Sequence, residues 1–549
     1  MPDHGVGRQV ALKRFAVGVQ PRKKNQPAKS RYGCNRQRCS QLIFCSNGCY
    51  TSCFSLQVDI IAGKIGGENL RGEVHSASRQ QVLDRMVYVS DNCGMKTATG
   101  SDSAHTGRKL WEQSDTYTFK RMPPLESLRS KLYLAALAIT LAIGIFLRLP
   151  PGLFHAKEAP LRVLAALHPK PQDKTGGYDE RVYESYVNII SNRGITAYPD
   201  LLDSYIEKQK TMSGSMLPPL RFLYIFFGYV WHSLFGTPSR AALGYVSSAF
   251  SMLTLLLSAL FAGRVGRPGY ALGVAALMAV APTQLHMSQH ALIDGFFTFW
   301  VLLALWALWE NLQAKDRWPW LILYSCALTA MVLTKENSFF AWIGIVALLV
   351  SNHWIKFGLV SRNLIIATIL GPALGVVILV WLSGGLGTLI ATYQLSVSKN
   401  YELEYAILSG DGPWHRYLID LLLVSPLVLI LALGALFNLT REKKLEWFCV
   451  VFVAASYLIM CNIKYGMNLR YANIWDLPLR FLAFSQLVKI SSFIPRWHSI
   501  SLIAMTALVC GVEFRQYIVL AVNYPLYELV TPGLMHALKI LKFSTEISP

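Results

Sequence analysis

Charged residues are scarce in this chain of 549 residues, since Asp, Glu, Lys and Arg together make up only 15% of it. A soluble globular protein carries charge on about a quarter of its residues, so a string of soluble domains is excluded. Hydrophobic residues reach 53%, and the mean hydropathy is +0.35. These values also exclude collagen-like, coiled-coil and wholly disordered chains. The composition predicts an all-α polytopic membrane protein, because helices satisfy their own backbone hydrogen bonds inside a bilayer.

Cysteine pairs of the kind that bind zinc are also missing from the sequence. No two cysteines in the early part of the chain are separated by two residues, and no H-x₃₋₅-H pair occurs with them in residues 1–130, so the spacing does not predict a zinc module. A cytoplasmic position would keep these thiols reduced, whereas the later cysteines lie in or beside apolar runs and are expected to pack as small hydrophobic residues. The early cysteines are Cys34, Cys39, Cys45, Cys49, Cys53 and Cys93, and the later ones are Cys326, Cys449, Cys461 and Cys510.

No signal peptide is visible at the amino terminus, and the first long apolar run begins only near Leu132. Residues 1–130 carry 20 Lys or Arg and 10 Asp or Glu. We assign this basic excess to the cytoplasmic side of a membrane protein rather than to nucleic-acid binding. Because Met122 stands shortly before the first apolar run, we expect residues 1–121 to be a disordered or mis-assigned extension of the functional chain.

Apolar runs recur after Leu132 and predict about eleven transmembrane helices. One further stretch, Pro218–Phe235, is aromatic and amphipathic, and it either spans the membrane or lies flat on its surface. The predicted spans are 132–147, 241–262, 268–285, 291–311, 318–334, 337–351, 363–382, 417–438, 446–462, 471–488 and 498–514.

The distribution of basic residues decides how Pro218–Phe235 is placed. If this stretch lies flat and the amino terminus is cytoplasmic, the short cytoplasmic loops hold 11 Lys or Arg and the short outer loops hold 5. If the stretch spans the membrane, every later loop inverts and the bias contradicts the positive-inside rule. We therefore predict a re-entrant or interfacial helix on the outer face.

This topology leaves two long loops outside the membrane, and the first of them contains two polar helices. Long structured loops over a helical bundle are where chemistry is expected. The catalytic domain is predicted to cover residues 122–515, and an extracytoplasmic C-terminal tail, 516–549, follows it. The long loops are 148–239 and 384–416, and the helices in the first loop are predicted at 179–192 and 201–210.

Three carboxylates lie where they could act at the outer membrane face. Asp179 and Glu180 open the first outer helix, where they either favour the helix dipole or supply a general base. Asp294 begins an otherwise apolar span, and His290 lies one turn before it on the same predicted helix face. A carboxylate at the edge of a span is costly unless it is paired or used, and the alternative is a simple cap at the interface.

Several basic residues fall on the same face. Lys335 lies in a very short loop near the membrane surface, where it either meets a lipid phosphate or forms a weak surface ion pair. Arg470 precedes a late span, and its planar fork either binds phosphate or reaches the interface as a snorkelling side chain. Arg221 lies at the start of the flat helix, and His415 and Arg416 flank the second long loop as candidate substrate contacts.

One topology brings these carboxylates and cations to the same leaflet. Such a group suits a sugar donor attached to a lipid phosphate, because cations hold the phosphate leaving group while a carboxylate takes the proton of the acceptor hydroxyl. Neither a Walker A motif nor a Rossmann fingerprint is present, so the sequence indicates neither nucleotide hydrolysis nor dinucleotide chemistry. The outer residues in question are Asp179, Asp294, Lys335, His415 and Arg470.

An ordered set of short motifs runs along the chain from about Met122 to Arg515. The motifs are Asp179-Glu180, Pro218-Pro219-Leu220, Ser288 through Asp294, Leu333-Thr334-Lys335 and Arg470-Tyr471. In this order the chain resembles the GT-C glycosyltransferases that use polyprenyl-phosphate sugars, in particular the protein O-mannosyltransferases and the lipid A aminoarabinose transferases. The resemblance implies a GT-C-like bundle with a long first extracytoplasmic loop that carries amphipathic helices.

The resemblance further implies an inverting transfer, in which the acceptor attacks the anomeric carbon and displaces the lipid phosphate. Relatives often carry a lysine just before Pro-Pro-Leu, where this chain has Leu217, so Arg221 or another cation is expected to take its place. Some GT-C enzymes use a divalent metal, but no ligand spacing here demands one. The implied catalytic residues are Asp179, Glu180 and Asp294, the implied phosphate ligands are Lys335, Arg470 and Arg221, and the candidate substrate contacts are His290, His415 and Arg416.

We therefore expect a hexosyl- or pentosyltransferase that moves a sugar from dolichyl or undecaprenyl phosphate to a lipid, glycan or protein acceptor. It is expected in the plasma (inner) membrane, with its active site on the extracytoplasmic face and without a nucleic-acid partner. Two alternatives stay open. A glycan polymerase or ligase of related fold would use His415 and Arg416, whereas a secondary transporter or flippase would carry charges inside several spans and paired repeats. Here we expect the charges to cluster at one face.

Overall fold

The computed structural model describes residues 128–155, 161–170, 177–266, 269–464 and 466–540. The extension predicted over residues 1–121 and the six early cysteines lie outside these ranges.

The described residues form α-helices joined by short 3₁₀ segments and by one π-helical segment, Ile518–Asn523, and no strand occurs among them. The helices of the first half are α1 Leu128–Arg148, α2 Gly152–His155, α3 Tyr178–Arg193, α4 Tyr198–Thr211, α5 Phe222–Phe235, α6 Ser239–Val265, α7 Tyr270–Ala279, α8 Pro282–Gln289, α9 Ile293–Gln313 and α10 Trp318–Thr334. Those of the second half are α11 Ser338–Ile355, α12 Arg362–Leu382, α13 Leu386–Glu402, α14 Glu404–Gly410, α15 Arg416–Val424, α16 Pro426–Leu436, α17 Lys444–Met460, α18 Asp476–Ser491, α19 His498–Tyr517 and α20 Thr531–Ala537.

Within the described ranges, six helices are long and apolar enough to cross a membrane. A seventh span results if α7 and α8 are counted as one bent helix. This finding confirms the predicted class of an all-α integral membrane protein, whereas the number of about eleven spans stays a prediction. The six helices are Ser130–Arg148, Ser239–Val265, Ile293–Gln313, Ser338–Ile355, Arg362–Leu382 and Pro495–Asn523.

The span predicted at 268–285 is broken into two helices, which is a correction to the sequence analysis. Helices α7 and α8 meet at an angle of 54°. Pro282 begins α8, and proline disfavours a continuous helix because it lacks an N–H and crowds the preceding turn. Arg148 of α1 caps the end of α7, since its guanidinium donates to the carbonyl oxygens of Met278 at 2.7 Å and Ala279 at 3.0 Å.

A second correction concerns charge inside the bundle. We call Arg148, Asp476, Arg480 and Glu513 the bundle cluster, and all four side chains are buried. Arg480 of α18 donates to Asp476 at 2.5 Å and to Glu513 of α19 at 2.7 Å. The expectation that charges cluster at one face was therefore wrong for this group. Hydropathy averaged over a run conceals single charges, and pairing between helices makes their burial tolerable.

The loop regions contain more helix than the sequence analysis expected. Helices α3 and α4 extend beyond the predicted 179–192 and 201–210, and the second long loop is largely α13 and α14. Helix α5 has 14 residues, so it is about 21 Å long and shorter than the hydrocarbon core of a bilayer. The predicted span 417–438 consists of α15 and α16, which are separated at Ser425.

Buried tyrosines hold the first loop against the bundle. Helix α3 packs against α5 and α6, and its Tyr183 and Tyr186 are buried among apolar residues of those helices. The hydroxyl of Tyr224 in α5 lies 2.9 Å from Ser247 of α6. Since buried tyrosines keep a hydrogen-bond partner while contributing a large apolar surface, these contacts fix the start of α3 relative to the spans.

The segment predicted as a C-terminal tail returns to the bundle. The backbone N–H of Leu469 donates to the carbonyl oxygen of Leu529 at 3.2 Å, and Thr531 donates to Asp420 of α15 at 2.6 Å. Residues near position 528 are thereby held beside the 3₁₀ helix Leu469–Trp475.

Candidate active site

Glu180 joins the start of α3 to the start of α9. Its carboxylate accepts hydrogen bonds from the backbone N–H of Gly177 at 3.2 Å and of Ala291 at 2.9 Å. His290 Nδ1 lies 3.4 Å from the same carboxylate. Burial alone would raise the pKa of Glu180, but His290 and the two backbone hydrogen bonds together lower it below its usual value. Glu180 is thus a charged link between the two helices that carry Asp179 and Asp294.

Asp179, the neighbouring residue, faces a different partner. Its Oδ2 accepts a hydrogen bond from a terminal nitrogen of Arg470 at 3.1 Å. The Asp179 side chain is 17% exposed, whereas that of Arg470 is 5% exposed. The Asp179 carboxylate is therefore partly open to solvent, whereas the arginine is enclosed. A carboxylate that contacts a substrate needs such access.

Arg470 lies at the centre of a group of carboxylates. The side chain of Asn468 accepts the backbone N–H of Arg470 at 3.0 Å and so caps the 3₁₀ helix that carries it. Asp294 lies 4.0 Å from Arg470 Nε. Glu528 lies 3.1 Å from the same nitrogen, at ion-pair distance but without hydrogen-bond geometry. Within the described residues, one terminal nitrogen of Arg470 is buried and has no hydrogen-bond partner.

Lys335 completes this group from the short connection between α10 and α11. Its Nζ lies 2.5 Å from Asp294 Oδ1 and 4.0 Å from the centre of the Tyr471 ring. Burial lowers the pKa of Lys335, although the charge of Asp294 opposes this shift. We call Asp179, Asp294, Lys335, Arg470 and Glu528 the loop cluster. It brings together four residues that the sequence predicted for one face.

Glu528 is the member that the sequence analysis missed. Its carboxylate accepts a hydrogen bond from the side chain of Asn468. Burial raises the pKa of Glu528, the charge of Arg470 opposes the shift, and the charge of Asp179 adds to it. The residue follows the last apolar run in a short polar break, which carries no periodic pattern. Only its non-local contacts reveal it.

Tyr527 packs beside Glu528 and fixes that segment. Its ring lies 5.5 Å from the ring of His290 and 5.6 Å from the Arg470 guanidinium. A Cβ atom at position 177 would lie 2.0 Å from Cε2 of Tyr527, so only glycine leaves room for the ring at the start of α3. The C-terminal segment and the first loop therefore meet at this point.

Arg221 is engaged by an acidic neighbour of Lys335. Its guanidinium forms a two-pronged ion pair with Glu336, in which Nε lies 3.2 Å from Oε2. It also donates to the Tyr183 hydroxyl at 2.5 Å. Burial would raise the pKa of Glu336, but the pair with Arg221 lowers it. Arg221 thus anchors the connection that carries Lys335.

The remaining predicted residues lie in two places. His290 contacts Glu180 and stands 4.7 Å, ring to ring, from His286, so it borders the loop cluster. His415 lies against Trp414, and Arg416 donates to the Asp411 carbonyl and lies 3.7 Å from Asp420. These contacts of His415 and Arg416 are with the second loop and α15.

The donor set does not favour a metal ion. Within the described ranges, no group of three or more His, Cys, Asp or Glu residues could hold one. The carboxylates of the loop cluster face Arg470 and Lys335 instead of a common point, and no chemical step is assigned to a metal here.

The fold and this site together define an integral membrane protein with a buried cluster of acids and cations where loop segments meet its helices. A family model described as dolichyl-phosphate-mannose-protein mannosyltransferase matches residues 233–393, in agreement with the resemblance noted from the motifs. The matched segment contains Asp294 and Lys335, while Asp179, Arg470 and Glu528 lie outside it. Among curated proteins, none matches this sequence.

Solved structures of two proteins are similar to the chain at low identity. Apo ArnT from Cupriavidus metallidurans shares 16% identity with a TM-score of 0.42, over 69% of this chain and 63% of ArnT. The Archaeoglobus fulgidus oligosaccharyltransferase tethered to an acceptor peptide shares 15% identity with a TM-score of 0.48, over 70% of this chain and 55% of that protein. ArnT bound to undecaprenyl phosphate shares 12% identity with a TM-score of 0.38, over 75% of this chain and 76% of ArnT. The chain thus aligns with less than two thirds of the first two structures.

Proposed function

We propose that the protein is a membrane glycosyltransferase that transfers a sugar from a polyprenyl phosphate to an acceptor hydroxyl, with inversion at the anomeric carbon. The observation that carries the proposal is the loop cluster. A partly open carboxylate, Asp179, lies 3.1 Å from Arg470, a buried arginine with one terminal nitrogen that has no hydrogen-bond partner among the described residues. The ordered motifs and the match of the mannosyltransferase family model to residues 233–393 support the same reaction class.

The reaction needs a base for the acceptor and a stabilised leaving group. Asp179 accepts the proton of the acceptor hydroxyl, whose oxygen then bonds to the anomeric carbon. The bond between that carbon and the phosphate oxygen breaks on the opposite side, and its electron pair leaves with the polyprenyl phosphate. Since the Asp179 side chain is 17% exposed, whereas those of Asp294 and Glu180 are 5% and 7% exposed, an acceptor can reach Asp179 without disrupting Glu180.

Arg470 and Lys335 are the proposed ligands of the phosphate. The unused nitrogen of Arg470 supplies a first hydrogen bond, and a guanidinium fork suits a phosphate oxygen pair. Lys335 contributes a point charge and is held in place by Asp294 at 2.5 Å. Arg221 was expected to bind the phosphate directly. In this proposal it acts through Glu336, because its donors are already engaged there.

Carboxylates outnumber cations at the site, and this has a consequence for donor binding. The phosphate must compete with Glu528 for Arg470. Burial raises the pKa of Glu528, so this carboxyl takes up a proton more readily than an exposed glutamate. Once protonated, Glu528 loses its charge attraction to Arg470, and the phosphate can replace it there. We accordingly extend the proposed catalytic domain, 122–515, to include the segment around Glu528.

The sugar, the acceptor and the membrane are proposed only as classes. The donor is a dolichyl- or undecaprenyl-phosphate hexose or pentose, and the acceptor is a lipid, glycan or protein hydroxyl. The distribution of basic residues in the sequence supports an extracytoplasmic active face in a plasma (inner) membrane. The charges of the bundle cluster remove one argument against a transporter, since a transporter is expected to carry charges inside its spans.

The experiment measures release of polyprenyl phosphate by the purified protein in lipid nanodiscs, with a panel of polyprenyl-phosphate sugars. Wild type is compared with Asp179→Asn and with Asp203→Asn, which changes an exposed carboxylate of α4. We expect release from at least one donor, a loss of roughly 10²- to 10⁴-fold in Asp179→Asn, and no change in Asp203→Asn. Wild type that releases nothing from any donor contradicts the enzyme class, and undiminished release by Asp179→Asn removes that residue from the role of base.

A further inference from the structure

A cavity of about 330 Å³ lies between helices α3 and α4, in the first loop. Its walls come from one face of each helix, because the lining positions on α3 and on α4 recur at intervals of three and four residues. No residue of the loop cluster lines this cavity. Tyr178, which lines one end of it, immediately precedes Asp179 in the sequence. One end of the cavity therefore lies at the turn of α3 that carries the proposed base.

Three tyrosines give the cavity its aromatic character. The hydroxyls of Tyr178, Tyr186 and Tyr205 donate to the carbonyl oxygens of residues 215, 217 and 216, respectively. Tyr186 and Tyr205 are buried behind the cavity wall, whereas Tyr178 is 44% exposed. Because its hydroxyl is already engaged with the backbone, the surface that Tyr178 offers to a ligand is mainly ring carbon. The same hydrogen bonds hold the rings in fixed positions and reduce the entropy lost on binding.

The polar side chains of the cavity keep their hydrogen-bonding capacity. Ser185 and Arg181 come from α3, and Ser204 and Lys208 come from α4. Within the part of the chain that the structure describes, their side-chain polar groups form no hydrogen bond or ion pair with protein. The lining includes two cations and no carboxylate, so the cavity is positively charged although the neighbouring loop cluster is rich in acids.

An exposed aromatic ring beside hydroxyls and cations suits an acidic saccharide. The C–H face of a sugar ring packs against an aromatic ring, its hydroxyls exchange hydrogen bonds with serine, and an attached phosphate or carboxylate pairs with arginine and lysine. A volume of about 330 Å³ is at the lower end of small-ligand pockets and matches one or two sugar rings. An acyl chain would leave the cations and hydroxyls unpaired.

We propose that this cavity binds the anionic saccharide portion of the acceptor and presents its hydroxyl to Asp179. The term acceptor rests on the proposed glycosyltransferase function, whereas the binding of an acidic sugar does not. We name the cavity the α3–α4 groove.

The test is saturation-transfer difference NMR on the full-length protein in nanodiscs of neutral lipid, with glucose 6-phosphate as the probe. Glucose and inorganic phosphate serve as comparison probes. The double variant Arg181→Gln/Lys208→Gln removes both cations of the groove. The matched control, Arg193→Gln/Lys210→Gln, removes two exposed basic residues from the same two helices outside the groove.

We expect saturation transfer to the ring protons of glucose 6-phosphate, with an affinity at least tenfold lower in Arg181→Gln/Lys208→Gln and unchanged in the control. An affinity that is unchanged in the groove variant overturns the proposal, as does a wild type that binds none of the probes. If inorganic phosphate displaces the sugar phosphate with equal affinity, the groove is an anion or lipid-headgroup site and the saccharide assignment is wrong.

Asp179→Asn separates this proposal from the proposed function. The variant is expected to lose donor turnover and to retain saturation transfer to glucose 6-phosphate. Binding without turnover of any donor by wild type would leave the groove in place and contradict the glycosyltransferase. Turnover of a donor by wild type without binding of the probe would support the glycosyltransferase and contradict the groove proposal.

Discussion

Two groups of buried charges occupy this molecule, and their arginines are used differently. In the bundle cluster, all three nitrogens of Arg480 donate, to Leu277, Asp476, Ser425 and Glu513. The nitrogens of Arg148 are likewise all engaged. In the loop cluster, Arg470 donates to Asp179 but keeps one terminal nitrogen without a partner among the described residues.

The difference separates a scaffold from a site. A buried donor without a partner costs free energy, and the bundle avoids this cost at both arginines. The loop cluster accepts it at Arg470, as a protein does where a ligand is to supply the missing acceptor. Counting donors that are left unused therefore distinguishes the two clusters, although both are buried and both contain acids and cations.

The largest effect is expected from breaking the bundle cluster. Replacing Arg480 by methionine leaves Asp476 and Glu513 buried without their counter-charge and should cost about 3–5 kcal/mol of stability. The measurement is the thermal unfolding midpoint in detergent. Arg240→Met is the control, since Arg240 and Glu184 are partly exposed and such a pair is worth at most about 1 kcal/mol. Equal shifts in the two variants would contradict the scaffold role.

A smaller loss of stability is expected from Glu180→Gln. Because the pKa of Glu180 is lowered, its contribution is present above the ordinary glutamate pKa of 4.5 and disappears as the pH falls through the lowered pKa. At neutral pH we expect a loss of about 2 kcal/mol, from hydrogen bonds to a charged group.

The unfolding midpoint of Glu180→Gln is compared with wild type between neutral pH and pH 3, with Glu184→Gln as the control on the same helix. The difference between variant and wild type should shrink as the pH falls. A difference that stays constant over this range would show that the charge of Glu180 is not what stabilises the fold.

The comparison is sharpened by a matched pair of arginine-to-lysine changes. Arg470→Lys retains a positive charge among the carboxylates but loses the guanidinium fork. We expect the donor KM to rise about tenfold, equivalent to about 1.4 kcal/mol, with little change in the unfolding midpoint. Arg480→Lys should lower the midpoint and leave the donor KM unchanged. The assignment of the two clusters fails if both variants change the same quantity.

The smallest effect is expected from Glu528→Gln. Since burial raises the pKa of Glu528, its protonated form stabilises the fold below the ordinary pKa of 4.5, and this stabilisation is lost as the pH rises through the raised value. The variant should flatten this part of the pH dependence of the unfolding midpoint, by less than about 1 kcal/mol. A pH profile identical to that of wild type would show that Glu528 does not contribute to the pH dependence of stability.

The sequence predicts the part of the loop cluster that topology alone brings together. Asp179, Asp294, Lys335 and Arg470 each stand at the edge of an apolar run, and assigning those edges to one membrane face is sufficient to collect them. The structure places all four within one network of ion pairs. Their catalytic and phosphate-binding roles stay predictions.

The features that the sequence did not predict depend on contacts between distant segments. Glu528 reaches Arg470 because Leu529 pairs with Leu469 and Tyr527 packs on Gly177, and none of these contacts leaves a local pattern. Arg480 and Asp476 lie four residues apart in a run predicted as a span, and the second partner of Arg480, Glu513, lies on another helix. The α3–α4 groove depends on how α3 and α4 pack. Sequence periodicity indicates which residues share a face of one helix, but it does not show which faces of two helices lie opposite each other.

The cap that Arg148 places on α7 constrains how the chain is made. Arg148 is synthesised 130 residues before Met278, whose carbonyl oxygen it reaches in the finished fold. At ribosomal rates this interval lasts roughly ten seconds. During that time the guanidinium has Gly144 of its own helix as an acceptor but lacks its acceptors on α7, and a charge without partners is costly inside hydrocarbon. The burial of this end of α1 is therefore completed only after α7 has emerged.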